Sequence, residues 1–250
     1  VMHVVALEFF KLRRRRVLPM IVLFLGVEIL WASISVSSSF TRNPDSAGWE
    51  GIITTFSSMN GLFLPILSAI VVSRIVDMEH KGETWRLLGA LAVNRHLLFA
   101  AKYGCAASLL LTVVLLQTFA IPGIGWANGL EAPIPYDLLF RFLAGTMLVN
   151  LVIIALQQWV SLAVRNQAFG LCLGMVGGFF GLTADLFPVF VRRLLIWSNY
   201  TALSPVTLRY GDGTVRFVTQ DAGWILPTAL LLVGAALYLA GSLHLSRKDI

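Results

Sequence analysis

Charged residues are scarce in this chain, and that scarcity decides its class. Asp, Glu, Lys and Arg make up 13% of the 250 residues, whereas hydrophobic residues make up 57%. Soluble domains average about 25% charged and about 45–50% apolar residues. A soluble fold of this length has too little polar surface to cover so many apolar side chains. The composition therefore excludes a soluble globular protein and predicts one embedded in a lipid bilayer.

Residues that carry catalysis or bind metals are also few. The two cysteines, Cys105 and Cys172, lie inside apolar stretches, and neither has a partner at metal-ligand spacing. The four histidines are scattered, and the sequence has no G-x-x-x-x-G-K-[ST], H-E-x-x-H or G-x-S-x-G motif. We therefore predict a non-enzymatic chain without catalytic residues, a metal site or a bound cofactor. Any energy must come from a partner or an ion gradient.

Long apolar runs are abundant. A helix of about 20 mostly apolar residues spans the bilayer and satisfies its backbone hydrogen bonds within one segment. Six runs meet this length, and they are continuous rather than alternating as in the strands of a membrane barrel. The predicted spans are residues 17–38, 52–76, 97–121, 138–164, 167–190 and 223–245.

Lysine and arginine are distributed unevenly about these spans. Thirteen lie on one side and six on the other, and the richer side is expected to face the cytoplasm. This bias accounts for the net charge of +6 without a nucleic-acid partner. It predicts a multi-pass protein of the cell membrane, a single transmembrane domain over residues 1–250 with both termini in the cytoplasm.

Two regions outside the spans predict further helices. Leu7, Phe9, Phe10 and Leu12 precede a cluster of arginines, a pattern typical of an interfacial helix on the inner leaflet. Residues 188–197 are apolar but interrupted by a proline and two arginines, which predicts short helices in the outer leaflet between spans five and six. The predicted fold class is thus an all-α membrane protein with six transmembrane helices.

Polar side chains inside the spans are candidates for function. Glu28 lies near the middle of the first span, where an ionisable group costs about 2.5–3.5 kcal/mol. It either faces a cavity or a neighbouring subunit and touches substrate or a proton, as a residue of the translocation path would, or is a protonated group bonded to another helix through Gln117, Asn150, Gln157 or Gln158. Asn150 and Gln157 are candidate path residues as well, although interhelical hydrogen bonding is the commoner role.

Five glycines mark one face of the fifth predicted span at three- and four-residue spacing. Small residues let helices approach closely, either within the chain or across a dimer. These glycines are Gly170, Gly174, Gly177, Gly178 and Gly181.

The connection between spans two and three, residues 77–96, carries a charged and aromatic stretch. Trp85, Leu88 and Ala92 recur at helical spacing, and Thr84 is suited to cap the N-terminus of a short amphipathic helix. The tryptophan is typical of an anchor for a membrane surface or for a groove on another protein.

This stretch resembles the permease subunits of ABC-2 type exporters. In that family a Glu after span two is followed, at set spacing, by Thr, Leu, a Pro-x-Ser-Arg turn and Lys. The chain departs from the pattern at Ala92 and Asn94, where the family has Pro and Ser, which loosens the turn but keeps the charges. The matching residues are Glu79, Thr84, Leu88, Arg95 and Lys102.

The resemblance implies half of a transporter. Two permeases, identical or related, would stand over two ATPase subunits that bind ATP and Mg. The connection after span two would be the coupling helix, docked in a groove of the ATPase. The residues that the resemblance assigns to ATPase coupling are Glu79, Glu83, Thr84, Trp85, Arg86, Leu88 and Arg95.

Within the family the chain is most similar to lantibiotic-immunity and bacteriocin-protection permeases. The similarity lies in its length, its Thr-Trp pair and the stretch at residues 188–197. It implies an amphipathic cargo, such as an antimicrobial peptide exported for self-immunity.

Two other functions fit the same features. One is a gradient-driven secondary transporter with Glu28 as its proton site, although the spans show no three-plus-three repeat of broken helices. The other is a membrane-embedded regulatory subunit that moves no cargo. An ATPase that accompanies the chain would favour the permease.

Overall fold

The computed structural model describes residues 17–44, 47–81, 95–164, 166–211, 214–221 and 223–247. In chain order the elements are helices α1 (Val17–Arg42), α2 (Trp49–Lys81), α3 (Arg95–Ala127), α4 (Tyr136–Ala163), α5 (Gln167–Leu182), α6 (Val189–Leu194) and α7 (Asn199–Ala202), strands β1 (Val206–Gly211) and β2 (Thr214–Thr219), and helix α8 (Ile225–Arg247). Single-turn 3₁₀ helices at Ala184–Leu186 and Ile196–Ser198 flank α6.

Five of these helices are long and apolar enough to cross a membrane: α1, α2, α3, α4 and α8. Each coincides with a predicted span, and α2 and α3 continue for several residues beyond the predicted ends. The prediction of an integral membrane protein is confirmed. The predicted interfacial helix at residues 7–12 and most of the predicted coupling helix lie outside the described residues.

The fifth predicted span differs from the structure. Helix α5 begins at Gln167 as predicted but ends at Leu182, eight residues early. Its 16 residues rise about 24 Å, less than the roughly 30 Å of a bilayer core. Pro188 then interrupts the chain, because proline lacks the N–H that continues a helix. Short helices follow, as the sequence predicted, although their place in the outer leaflet stays a prediction.

The segment before the last span contains a β-hairpin, so the prediction of an all-α fold is wrong in this respect. Strands β1 and β2 pair antiparallel, in register from Val206 opposite Thr219 to Gly211 opposite Thr214. Alternating apolar positions and a Gly-Asp-Gly turn are the sequence signal for such a hairpin.

The helices define two ends of a bundle. At one end, the Arg95 guanidinium donates to the Ser246 carbonyl oxygen at 3.2 Å, joining the start of α3 to the end of α8. At the other end, Trp49 Nε1 donates to the Ala132 carbonyl oxygen at 3.2 Å, joining the α1–α2 and α3–α4 connections. We call these the Arg95 end and the Trp49 end. The Arg95 end corresponds to the predicted cytoplasmic side.

Helices α2 and α5 pack closely against each other, and glycines on both helices permit this close packing. A Cβ at Gly181 would overlap the Gly61 carbonyl oxygen, and one at Gly174 would overlap the Cβ of Ala69. Pro65 has no N–H to bond the Gly61 carbonyl four residues earlier, which leaves that oxygen without its helical partner. The glycine face is therefore occupied within the chain, which favours the intrachain alternative over a dimer contact.

Helices α1 and α8 lie at the edge of the bundle. Only 28% of the spanning stretch of α1 and 17% of that of α8 is buried, against 67% for α2. Their outward faces are apolar, with large exposed side chains such as Trp31 on α1 and Leu232 on α8. This is the arrangement expected of helices that face lipid or another membrane subunit.

Candidate functional site

Glu28 lies on the buried stripe of α1. The helix turns one face to the protein, and the residues on that face recur every three or four positions: Val17, Ile21, Leu25, Glu28, Ala32 and Val36. The Glu28 side chain is 1% exposed. It therefore faces the interior of the bundle rather than lipid, a point that the helical spacing alone left undecided.

Three helices meet at Glu28 through hydrogen bonds. The Gln117 amide nitrogen on α3 donates to Glu28 Oε2 at 2.7 Å and to Asn60 Oδ1 on α2 at 2.9 Å. All three side chains are buried. Gln117 was among the partners that the sequence offered for Glu28, whereas Asn60 was missed. Its position as a polar residue inside an apolar run was the available signal.

A second buried contact brings the segment after α5 into the same core. The Tyr200 hydroxyl on α7 donates to Asn150 Oδ1 on α4 at 2.8 Å, and both side chains are at least 98% buried. The Glu28 and Tyr200 side chains lie close enough to interact electrostatically. Sequence reasoning treated residues 191–222 as an outer connection, so Tyr200 was missed. The neighbouring Asn199 begins an Asn-Tyr-Thr sequence, a formal N-glycosylation signal. Its side chain is buried, with the amide bonded to backbone carbonyl oxygens, so it is not an accessible acceptor.

Among the residues that the structure describes, four polar atoms of these two groups find no hydrogen-bond partner. Two are acceptors, Glu28 Oε1 and Gln117 Oε1, and two are donors, Asn60 Nδ2 and Asn150 Nδ2. Buried polar atoms in proteins are usually paired with protein or with ordered water. A buried water molecule both donates and accepts hydrogen bonds, so it suits a site with two acceptors and two donors. We call Glu28, Asn60, Gln117, Asn150 and Tyr200 the polar cluster.

Gln157 lies apart from the polar cluster. With its amide oriented so that both atoms find partners, it donates to the Gly170 carbonyl oxygen and accepts from the Gly174 N–H, each at 3.2 Å. It thus attaches α4 to the backbone of α5, where the glycines leave room for a side chain. Of the three predicted intramembrane candidates, Glu28 and Asn150 belong to the cluster, and Gln157 serves a helix contact.

The residues assigned to ATPase coupling fall mostly outside the described part of the chain. Glu83, Thr84, Trp85, Arg86 and Leu88 lie in residues 82–94, which the structure does not describe. Glu79 lies in the last turns of α2.

Arg95 is described, and it points to α8. Its guanidinium bonds the carbonyl oxygens of Leu245, at 3.5 Å, and Ser246. Cations at a helix C-terminus satisfy carbonyls that lack helical partners and interact favourably with the helix dipole. The adjacent His96 Nδ1 lies 2.7 Å from Ser242 Oγ.

Lys102 matches the family motif and was counted toward the orientation of the spans, but its burial was not predicted. Its side chain is fully buried, and Nζ donates to the Ile75 carbonyl oxygen on α2 at 3.1 Å. Asp77, two residues further along α2, is 3% exposed. The helices that flank residues 82–94 are thus joined to each other, and α3 is joined in turn to α8.

Metal binding has no support among the residues that the structure describes. No three His, Cys, Asp or Glu side chains of that part of the chain group closely enough to hold an ion.

Comparison with known proteins gives one family. A family model described as ABC-2 family transporter protein matches residues 4–181, more than two thirds of the chain. No curated protein shows significant sequence similarity to the chain.

Proposed function

The chain belongs to the ABC-2 transporter family, and on that premise we propose that it is the non-catalytic membrane subunit of an ATP-driven exporter. The family match over residues 4–181 is the observation that carries the proposal. Five apolar helices of spanning length support it. The absence of a P-loop from the sequence agrees with ATP and Mg bound on a separate ATPase subunit.

We propose six passages through the membrane, with α5 as the fifth. Its outward side chains are apolar and large, including Phe169, Met175 and Phe179. Its short length is offset in part by the apolar residues that follow it before Arg192, among them Phe187 and Phe190. An even number of spans would place both termini on the cytoplasmic side of the cell membrane, in keeping with the Lys and Arg bias.

The ATPase would dock at residues 82–94, which Glu79 on α2 and Arg95 on α3 flank. Glu83, Thr84, Trp85, Arg86 and Leu88 supply charge and an aromatic anchor between them. The contacts of Lys102 with α2 and of Arg95 with α8 support this assignment, because a displacement of the loop would move three helices together. This is the mechanical link that an ATP-driven permease requires.

A second permease, identical or homologous, would complete the transporter. The apolar outward faces of α1 and α8 are left largely uncovered by the rest of the chain. Lipid and a second permease would share these faces.

The cargo proposed is amphipathic, and an antimicrobial peptide such as a lantibiotic is the class to test first. This part rests on the likeness of the sequence to immunity permeases. An amphipathic molecule would enter from the bilayer, so this chain needs no charged vestibule for it.

A gradient-driven transporter or a regulatory subunit that uses Glu28 is the second candidate function. The unpartnered Glu28 Oε1 favours it, since a buried carboxyl oxygen without a donor is free to take a proton or a ligand. Against it, a proton site must be reached from water, and Glu28 is 1% exposed in this conformation.

Copurification tests the proposal directly. The chain is purified in mild detergent from its native membranes, and a stoichiometric P-loop ATPase is expected with it. Trp85→Ala should abolish the association, because it removes the aromatic anchor. Trp126→Ala is the matched control: Trp126 is 62% exposed at the Trp49 end of α3 and should leave the association unchanged. A chain that purifies without any ATPase under conditions that keep complexes intact would contradict the proposal.

A further inference from the structure

A cavity of about 350 Å³ opens between α4 and α8 at the Arg95 end. It uses none of the residues of the polar cluster. Its lining combines an indole, two apolar side chains and two basic groups: Trp159, Ala240, Leu243, His244 and Arg247.

The cavity lies at the lipid-facing edge of the bundle. Helix α8 is mostly uncovered, and Leu239 and Leu243 are 58% and 48% exposed. One turn before the basic residues, α8 approaches α4 so closely that a Cβ at Gly241 would stand 3.0 Å from the Cβ of Trp159. Trp159 is half-buried next to this contact and lines the cavity.

The rim of the cavity is basic. His244 and Arg247 belong to the last turn of α8 and are exposed. Within the part of the chain that the structure describes, neither forms an ion pair. Basic side chains at the end of a spanning helix, next to an apolar surface and a tryptophan, lie at the depth of lipid headgroups.

We propose that this cavity binds an anionic phospholipid of the leaflet at the Arg95 end. The phosphate oxygens accept hydrogen bonds from the Arg247 guanidinium, which suits bidentate phosphate binding, and from His244. The upper acyl chain lies along Leu243 and Trp159. Basic pockets between spanning helices bind anionic headgroups in this way, and the volume falls within the range of small-ligand sites. The proposal requires only that the protein is embedded in a membrane, so it stands apart from ATP coupling.

Native mass spectrometry of the purified full chain tests it. The protein is titrated with phosphatidylglycerol or with phosphatidylcholine of the same acyl chains. One phosphatidylglycerol should bind in preference to phosphatidylcholine. Arg247→Gln should weaken that binding about fivefold, since one basic group near the membrane surface contributes about 1 kcal/mol.

Arg42→Gln is the matched control. Arg42 is likewise an exposed arginine in the last turn of a spanning helix, but it lies at the opposite end of the bundle. It should leave lipid binding unchanged. Equal loss in both variants, or equal binding of the two lipids to the wild type, would overturn the proposal in favour of general surface attraction.

A cavity-filling variant separates a lipid site from a bare anion site. Ala240→Leu keeps both basic side chains but fills the cavity, so the preference for phosphatidylglycerol over phosphatidylcholine should be lost. If the larger residue prevents folding, Ala240→Val is used instead. Retained binding in a folded variant would overturn the role of the cavity. Displacement of the lipid by excess inorganic phosphate would likewise overturn it, since the site would then recognise the anion alone.

Discussion

Gln117 donates a hydrogen bond of 2.7 Å to Glu28, and this contact ties the first span to the third in the middle of the membrane. The same amide nitrogen also reaches Asn60 on the second span. A carboxyl group in a spanning helix is costly unless it has such partners. The hydrogen bond from Gln117 therefore stabilises Glu28 inside the bundle, independently of any role in transport.

Gln117→Leu should destabilise the protein, because it leaves the Glu28 carboxyl and Asn60 without their donor. Interhelical hydrogen bonds in membranes average about 0.6 kcal/mol and reach about 1.7 kcal/mol, and we expect the upper end here. Thermal unfolding in detergent measures the loss. The double variant Glu28→Leu/Gln117→Leu should recover stability relative to Gln117→Leu, since removing both partners avoids an unpaired buried group. Thr112→Val, an exposed site on the same helix, is the control.

Glu28→Gln should keep assembly intact and lower transport. A glutamine has the same shape and still accepts the bond from Gln117, so folding and ATPase association should match the wild type. Transport of the cargo in reconstituted vesicles should fall, because the variant lacks an ionisable group. Unchanged transport would assign Glu28 to structure alone and remove the gradient-driven alternative.

Gly181→Leu should prevent α5 from packing on α2. The added side chain meets backbone atoms of Gly61, which cannot move aside. Core overpacking typically destabilises a protein by about 1–3 kcal/mol. We expect a loss near the upper end, because the side chain meets backbone rather than a movable side chain. Gly104→Leu is the matched control, because nothing lies within 4 Å of a Cβ at that helical glycine. Similar melting temperatures for the two variants would contradict the α2–α5 contact.

Arg95→Gln should reduce coupling more than ATPase binding. Its guanidinium bonds the end of α8, so the variant loosens α3 from α8 while residues 82–94 stay intact. A charge at a helix C-terminus contributes about 0.3–1 kcal/mol, so a small loss of stability is expected. Copurification should retain the ATPase, whereas transport should decrease. Loss of the ATPase in Arg95→Gln would instead place Arg95 directly in the docking surface.

The sequence by itself determined where the long helices lie, because a spanning helix satisfies its own backbone and its signal is local: enough apolar residues in a row. The five long helices match the predicted spans for this reason. The family motif around Glu79 and Lys102 was likewise local, and the match over residues 4–181 agrees with it.

Only the tertiary structure decided which polar residues meet. Glu28, Asn60 and Gln117 belong to three different helices, and Tyr200 reaches Asn150 from a segment that sequence alone placed outside the bundle. Such contacts depend on the rotation of each helix about its axis and on how closely neighbours approach, as Gly61 and Gly181 permit. Rotation and approach are set by packing between distant segments, so no local pattern encodes them.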